Sequence, residues 1–239
     1  MDQGWYDRAR AETIRYHDEL YRNVPLGTAG SWLRRPHRLL GEAVRLLAAR
    51  RPVTAHDLGA GVGRHALPLM HELQAGSRLV AVDLLDSALA ALRAAAPSDL
   101  PVSLETRQCD LADFTFDTPT DLVVAFSAVE HLPDLDGVRA LLDRIAAATA
   151  PGGVVAIAIF ADRYEIGPDR RVRPALLESA ITAAQAREVL RSAFDGFRVV
   201  ESDATDSEVT ETRDGVDHRL STTMITFLAQ HGSVVRREP

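Results

Sequence analysis

The sequence predicts an α/β protein: a doubly wound, mostly parallel sheet that ends in an antiparallel hairpin and is preceded by an N-terminal helical extension. Three observations predict it. Strand-like runs rich in Val, Ile, Leu and Ala alternate with helix-like segments from about residue 53 to residue 160. Those runs are apolar at nearly every position rather than at every second one, which marks strands buried on both faces beneath crossover helices. Two long segments with polar alternation then flank Asp214-Gly215, a pair that favours a two-residue hairpin turn.

Taken in order, residues 11–23 and 35–50 read as helices joined by VPLGTAGSW, and they lie outside the sheet, where they can cover its ligand crevice. PVTAHDL (52–58) is the first strand, followed by a glycine-rich turn and a helix through ALPLMHEL (66–73). SRLVAVD (77–83) is the second strand and DSALAALRAAA (86–96) its helix. LPVSLETRQ (100–108) and TDLVVAFS (120–127) are the third and fourth strands, LDGVRALLDRIAAAT (135–149) a helix, and PGGVVAIAIF (151–160) the fifth strand. After a polar stretch, ADRYEIGPDRRVRP, a helix opens at Thr182 with Gln185 in capping-box register. The strands at 197–212 and 216–229 form the hairpin.

A chain of 239 residues with 46% hydrophobic content suits one large core, so a single domain at 53–230 is expected, with 1–52 as an extension and 231–239 as a flexible tail. The formal charge of -7 provides no general attraction for phosphate backbones, which argues against a nucleic acid partner. Arg34-Arg35, Arg50-Arg51 and Arg170-Arg171 read as solvated faces. Cys109 is the only cysteine, so no disulfide framework can form; a reducing compartment and a buried, hydrophobe-like role follow. The first twenty residues are too charged for a signal peptide, and the apolar run VVAIAIFA is too short to cross a bilayer. A cytoplasmic protein without a membrane partner is expected. The chain has no lysine, which excludes a lysine Schiff base and a P-loop lysine.

The turn Gly59-Ala60-Gly61-Val62-Gly63 presents backbone N–H groups at the carboxyl edge of such a sheet, and two ligand classes compete for it. Gly61 to Ala66 fits the dinucleotide pattern, with Asp83 where a ribose-binding acid belongs, so NAD is one reading. The other is G-x-G-x-G with Asp57 two residues ahead. A carboxylate there would repel a pyrophosphate, whereas the ammonium and sulfonium of S-adenosylmethionine would be attracted to it.

At this point the stretch resembles motif I of the class I S-adenosylmethionine-dependent methyltransferases, and the resemblance covers residues 53 to 160. It implies that Asp57, Gly59, Ala60, Gly61 and Gly63 surround the donor cofactor. Asp83 would hold the ribose hydroxyls, with Leu84 against the adenine. Asp110 would take the adenine amino group beside Leu111, with Asp113 as the alternative acid. Phe126 and Ser127 would form the floor beneath the sulfonium. Within the class, the chain is similar to small-molecule enzymes of the tellurite-resistance and ubiquinone-biosynthesis types. Two departures matter. Phe126-Ser127-Ala128-Val129 is not the Asn/Asp-Pro-Pro-aromatic clamp of enzymes acting on nucleic acid bases. Ser127 also stands where a metal-binding branch has the first glutamate of Glu-x-x-Glu-His, so no metal is expected at Glu130-His131.

His131 is the candidate general base, against the simpler reading that it packs on the helix beginning near Asp134. Tyr16, His17, Tyr21 and Trp32, with His37, are candidates for an acceptor pocket, against a role as ordinary core contacts. The expected activity is methyl transfer to an oxygen or nitrogen of a small molecule, in a biosynthetic setting. A protein or peptide acceptor, or a non-catalytic S-adenosylmethionine- or NAD-binding module, stays open as an alternative.

Overall fold

The runs that read as unbroken apolar strands occupy the middle of one eight-stranded sheet. The computed structural model describes residues 3–47, 51–167, 169–175, 177–213 and 216–232. Strand β1 (Thr54–Leu58) is flanked in parallel by β2 (Arg78–Asp83) and by β4 (Thr120–Phe126). Beyond β2 lies β3 (Ser103–Gln108), and beyond β4 lies β5 (Thr149–Ile166), both also parallel. A short β6 (Val172–Pro174) pairs with β5, while β7 (Phe197–Arg213) and β8 (Val216–His231) complete the order β3-β2-β1-β4-β5-β8-β7 with antiparallel pairing.

Alternate residues of each central strand point to opposite faces, and both faces are covered. Leu79 and Ala81 pack with α2 (Leu39–Leu47), α3 (Ala66–Glu72) and α4 (Asp86–Ala95), whereas Val80 and Val82 pack with α5 (Leu135–Ala148) and α6 (Ala183–Ala193). Each such fully buried Val or Leu contributes about 1.5–3 kcal/mol relative to exposure. Asp134 caps α5 through Gly137 N–H (2.8 Å), and Thr182 and Gln185 form the capping box of α6.

The chain runs from β1 outward to β3, then returns to β4 on the other side of β1. That reversal opens a crevice beyond the carboxyl ends of β1 and β4, where ligands bind in sheets of this kind. The first helix, α1 (Gln3–Asn23), belongs to neither core layer and crosses this edge.

Several elements differ from the sequence expectation. α1 starts at Gln3 rather than near residue 11; Arg15 bridges Glu12 and Glu19 on its solvent face. α2 starts only at Leu39, because Pro36 holds Arg35 extended (φ -140°, ψ 149°) and a separate turn forms at Trp32–Arg34. β3 is not buried on both faces. It is an edge strand whose Glu105 and Arg107 join Arg78 and Asp117 in an ion-pair network, a charge pattern that discourages edge-to-edge association. The polar stretch after Phe160 continues β5 to Ile166, since the long β8 offers ladder partners as far as Arg219 opposite Ile166. A bulge with Asp162 at φ 48° absorbs the register shift. β7 and β8 pair up to Arg213 opposite Val216, while Asp214-Gly215 themselves lie outside the described residues. β8 ends at His231, two residues past the expected end of the strand at 229, and residues 233–239 of the expected tail also lie outside them.

Candidate active site

The glycine turn follows β1 directly, and its backbone is tied to β2 through Gly59 N–H and Ala60 N–H, which both donate to the Val82 carbonyl (2.8 and 3.0 Å). Gly59 has φ 77°, and a Cβ there would stand 2.5 Å from the Ala128 Cβ, so backbone angle and space both demand glycine. A Cβ on Gly61 (φ 52°) would meet the Tyr21 hydroxyl at 2.6 Å, which shows how closely α1 approaches the turn. Gly63 has the side chain of Leu92 at its back.

Asp83, at the end of β2, accepts Gly61 N–H at Oδ2 (2.7 Å) and Leu85 N–H at Oδ1 (2.9 Å), and burial raises its pKa. Asp57 is fully buried beneath the turn. Neither of its oxygens has a well-formed hydrogen bond, although the Ala66 amide pulls weakly on the charged form. Burial, and then the nearby Asp83, push Asp57 up to about 7.

Two adjoining cavities open at this edge, about 670 and 1410 Å³ including the space that communicates with solvent. The smaller is lined by Asp83, Leu84, Asp110 and Leu111; the larger by Ala60, Gly61, Phe126, Tyr16 and Trp32. They meet at Thr13, His17, Tyr21, Gly59, Ser127 and His131. Asp57 and Gly63 line neither. Asp110 is already engaged, by Arg10 of α1 at Oδ2 and by Ala112 N–H at Oδ1 (2.9 Å). Asp113 is exposed and lines neither cavity. Cys109 departs from its expected buried role: it is half-buried and lines the smaller cavity.

Ser127 ends β4 in the left-handed region (φ 56°), held by its N–H to the Ala158 carbonyl (2.9 Å). Phe126 stacks on His37 (4.5 Å) and meets His65 at a tilt (4.8 Å), rings that burial keeps well below the usual histidine pKa. His17 is the hub of the N-terminal rings, 5.2 Å from Tyr16, 5.7 Å from Tyr21, 6.3 Å from Trp32 and 5.7 Å from His131. Burial, and then the charge of His131, depress it to about 4.

His131 closes a short turn, Val129–His131, that lies against α5, and its side chain finds partners outside that helix. Its Nδ1 lies 3.2 Å from Oε2 of Glu178, and its carbonyl accepts Arg10 (3.0 Å). Burial would lower its pKa, but the hydrogen bond and charge of Glu178, with Glu130, raise it. Glu178, Arg10 and Arg163 went unnoticed in the sequence, and Glu130 was weighed there only against a metal-binding pattern. The first three fall in no motif, and Glu178 reaches the site from the irregular segment after β6, 47 residues from its partner. Among the described residues no cluster of three or more His, Cys, Asp or Glu side chains could hold a metal ion, and no helix is long and apolar enough to cross a membrane.

Comparison with known proteins follows the same lines. Residues 55–153 match the family model described as a methyltransferase domain. No curated protein matches the chain in sequence. Among solved structures, TehB from Haemophilus influenzae superposes with a TM-score of 0.63 at 18% identity, over 90% of this chain; the chain spans 66% of TehB's own length. The 1,6-didemethyltoxoflavin-N1-methyltransferase of Burkholderia thailandensis, solved with 1,6-didemethyltoxoflavin and S-adenosylhomocysteine, gives 0.55 at 22% identity over 98% of this chain and 92% of that one. N-methyltransferase NodS from Bradyrhizobium japonicum WM9, in complex with S-adenosylhomocysteine, gives 0.56 at 15% over 90% and 98%. At these identities the likeness is one of fold. The family match takes in the glycine turn, the ribose-type acid and the first four strands, so residues 55–153 form a methyltransferase domain, of the kind that uses S-adenosylmethionine.

Proposed function

We propose that this enzyme methylates an oxygen or nitrogen atom of a small molecule held in the larger cavity, with residues 1–52 as a lid over a donor-binding domain at 53–230. The observation that carries this reading is the meeting of the two cavities at Gly59, Ser127 and His131, beneath α1. An acceptor cavity roofed by a helix and walled by rings suits a small planar molecule better than an extended chain. The 1,6-didemethyltoxoflavin bound in the Burkholderia thailandensis structure agrees with that choice.

The residues fit the donor on two counts: a buried carboxylate without a good partner lies under the turn, and glycines leave open the space their Cβ atoms would fill. Asp57 compensates the cationic end of the donor, and Asp83 accepts its ribose hydroxyls with lone pairs left over from Gly61 and Leu85. Leu84 and Leu111 flank the adenine, and Asp110 meets both the adenine end and Arg10 of the lid. Phe126 and Ser127 floor the transfer point, Tyr16, His17, Tyr21 and Trp32 wall the acceptor, and His131 takes its proton. Once bound, S-adenosylmethionine supplies an activated methyl group, so the chain's task is alignment and exclusion of water.

Calorimetry is the direct test: S-adenosylhomocysteine is expected to bind and NAD and NADP are not. Dinucleotide binding with no response to S-adenosylhomocysteine would overturn the reading. Replacing Asp83 by alanine is expected to weaken S-adenosylhomocysteine by about 1.5–3 kcal/mol, roughly 10- to 150-fold, with the sheet intact. An unchanged dissociation constant would remove Asp83 from the donor site.

Asp57 makes affinity depend on pH. An acid whose folded pKa lies above its unfolded value favours the fold at low pH, and that contribution is withdrawn as pH rises from about 4 towards 7. A cation above the turn has the opposite preference, because it attracts the ionised form. Binding of S-adenosylhomocysteine should therefore release protons below about pH 7, tighten as the pH rises towards 7 and level off above it. Calorimetry in buffers of different ionisation enthalpy reads both effects, and Asp57→Asn is expected to flatten them. A pH-independent affinity in the unmodified protein would contradict the assignment.

A further inference from the structure

We propose that Glu178 is the positioning residue of a carboxylate–imidazole pair that presents Nε2 of His131 as the base for an acceptor bearing a dissociable O–H or N–H proton. This inference rests on the reading of the larger cavity as the acceptor site.

The geometry starts from burial. The Glu178 side chain has no exposed surface, while the His131 side chain keeps 23% and lines both cavities where they meet. Oε2 of Glu178 lies 3.2 Å from Nδ1. A carboxylate can only accept at that distance, so the neutral ring carries its proton on Nδ1 and leaves the Nε2 lone pair without a hydrogen-bond partner among the described residues. An acceptor proton then passes to Nε2, the heteroatom keeps the electron pair for its new bond to carbon, and the carbon–sulfur pair stays on sulfur. No oxidant or further reactant is required.

Anchoring alone does not account for the glutamate. The segment that carries it is already tied down by neutral bonds, from Ser179 Oγ to the Glu130 carbonyl (2.9 Å) and from Trp5 Nε1 to the Leu177 carbonyl (2.9 Å). Burying a carboxylate costs several kcal/mol unless it is paired and hydrogen-bonded. Here Thr13 of α1 assists, Oε1 is left without a well-formed bond, and the imidazole is the principal partner. Since Thr13 and Arg10 both belong to α1, the pair is assembled where the lid meets the sheet edge. The charged and titratable groups facing His131 are Glu178, the neighbouring Glu130, Arg163 of β5, His17 and Arg10 of α1, and Asp83 of β2. Burial alone would lower the ring's pKa; Glu178, through hydrogen bond and charge, and Glu130 raise it against that burial and against Arg163.

The experiment is a histidine titration by heteronuclear NMR on the full chain, with S-adenosylhomocysteine binding measured alongside. In the unmodified protein His131 is expected to titrate above the ordinary 6.5 and, when neutral, to show the Nδ1–H tautomer. In Glu178→Gln its pKa should fall as the charge is lost. A His131 that titrates below 6.5 in the unmodified protein, or carries its proton on Nε2, overturns the proposal without recourse to any variant. So does a Glu178→Gln protein that folds and binds S-adenosylhomocysteine but leaves the His131 titration unmoved, the result a purely structural glutamate would give. Failure of the unmodified protein to bind S-adenosylhomocysteine would instead strike the functional reading itself.

Discussion

Gly59→Ala is expected to destabilise the protein by about 2–5 kcal/mol and to abolish binding of S-adenosylhomocysteine. Two costs add. A left-handed backbone costs an L-residue about 1–2 kcal/mol, and forcing a methyl group into a filled space costs about 1–3 kcal/mol more. Neither can relax cheaply at this position. The obstructing atom is the Ala128 Cβ at 2.5 Å, and Ala128 is held between the Ser127 N–H on the Ala158 carbonyl and its own carbonyl, which accepts His131 N–H. Relief would have to displace the ends of both β1 and β4, the two strands that form the crevice. Gly152→Ala is the control, because Gly152 has a similar φ of 83° with nothing within 4 Å of the new methyl, so only the backbone cost of about 1–2 kcal/mol applies. Chemical denaturation and calorimetry of the two variants check the difference; equal losses in both would mean that the contact with Ala128 carries no weight.

Removal of residues 1–30 is expected to abolish turnover and leave a folded core. Both large apolar clusters are built entirely from Leu39 onward, so the truncation takes nothing from the two layers that cover the sheet. It does remove Tyr16, His17 and Tyr21 from the cavity walls, and Arg10 from Asp110 and the His131 carbonyl. Donor binding should weaken but persist, because Asp57, the glycine turn and Asp83 stay in place. In the intact chain, hydrogen exchange over residues 1–40 should slow when S-adenosylhomocysteine is added. Full activity after truncation, or identical exchange with and without S-adenosylhomocysteine, would make the segment a structural appendage.

The sheet was legible in the sequence because its signals are local. Unbroken apolar runs in β2, β4 and β5, Thr182 and Gln185 at a helix start, and three glycines between strand and helix each report on their own neighbourhood. The same holds for Asp83 at a strand end and Asp57 ahead of the turn, whose burial and electrostatics follow from where the strands stop. Edge positions were harder. β3 matches β2 in length, but its place at the margin, where Glu105 and Arg107 pair with Arg78 and Asp117, depends on which strands lie beside it. The continuation of β5 to Ile166 depends on β8 lying beside it, a partner more than fifty residues later.

What the sequence determined by itself, then, was the order of strands and helices, the turn beneath the donor and the chemical class of ligand that turn favours, since each depends on residues adjacent in the chain. The tertiary structure alone decided which side chains complete the site. Arg10 reaches Asp110 across 100 positions and Glu178 reaches His131 across 47, and no local pattern marks either glutamate or arginine among the many in the chain. The physical reason is one of range: strand, turn and cap propensities act between near neighbours, whereas the charge pairing and desolvation that tune His131 exist only once α1 and the segment after β6 close over the sheet edge.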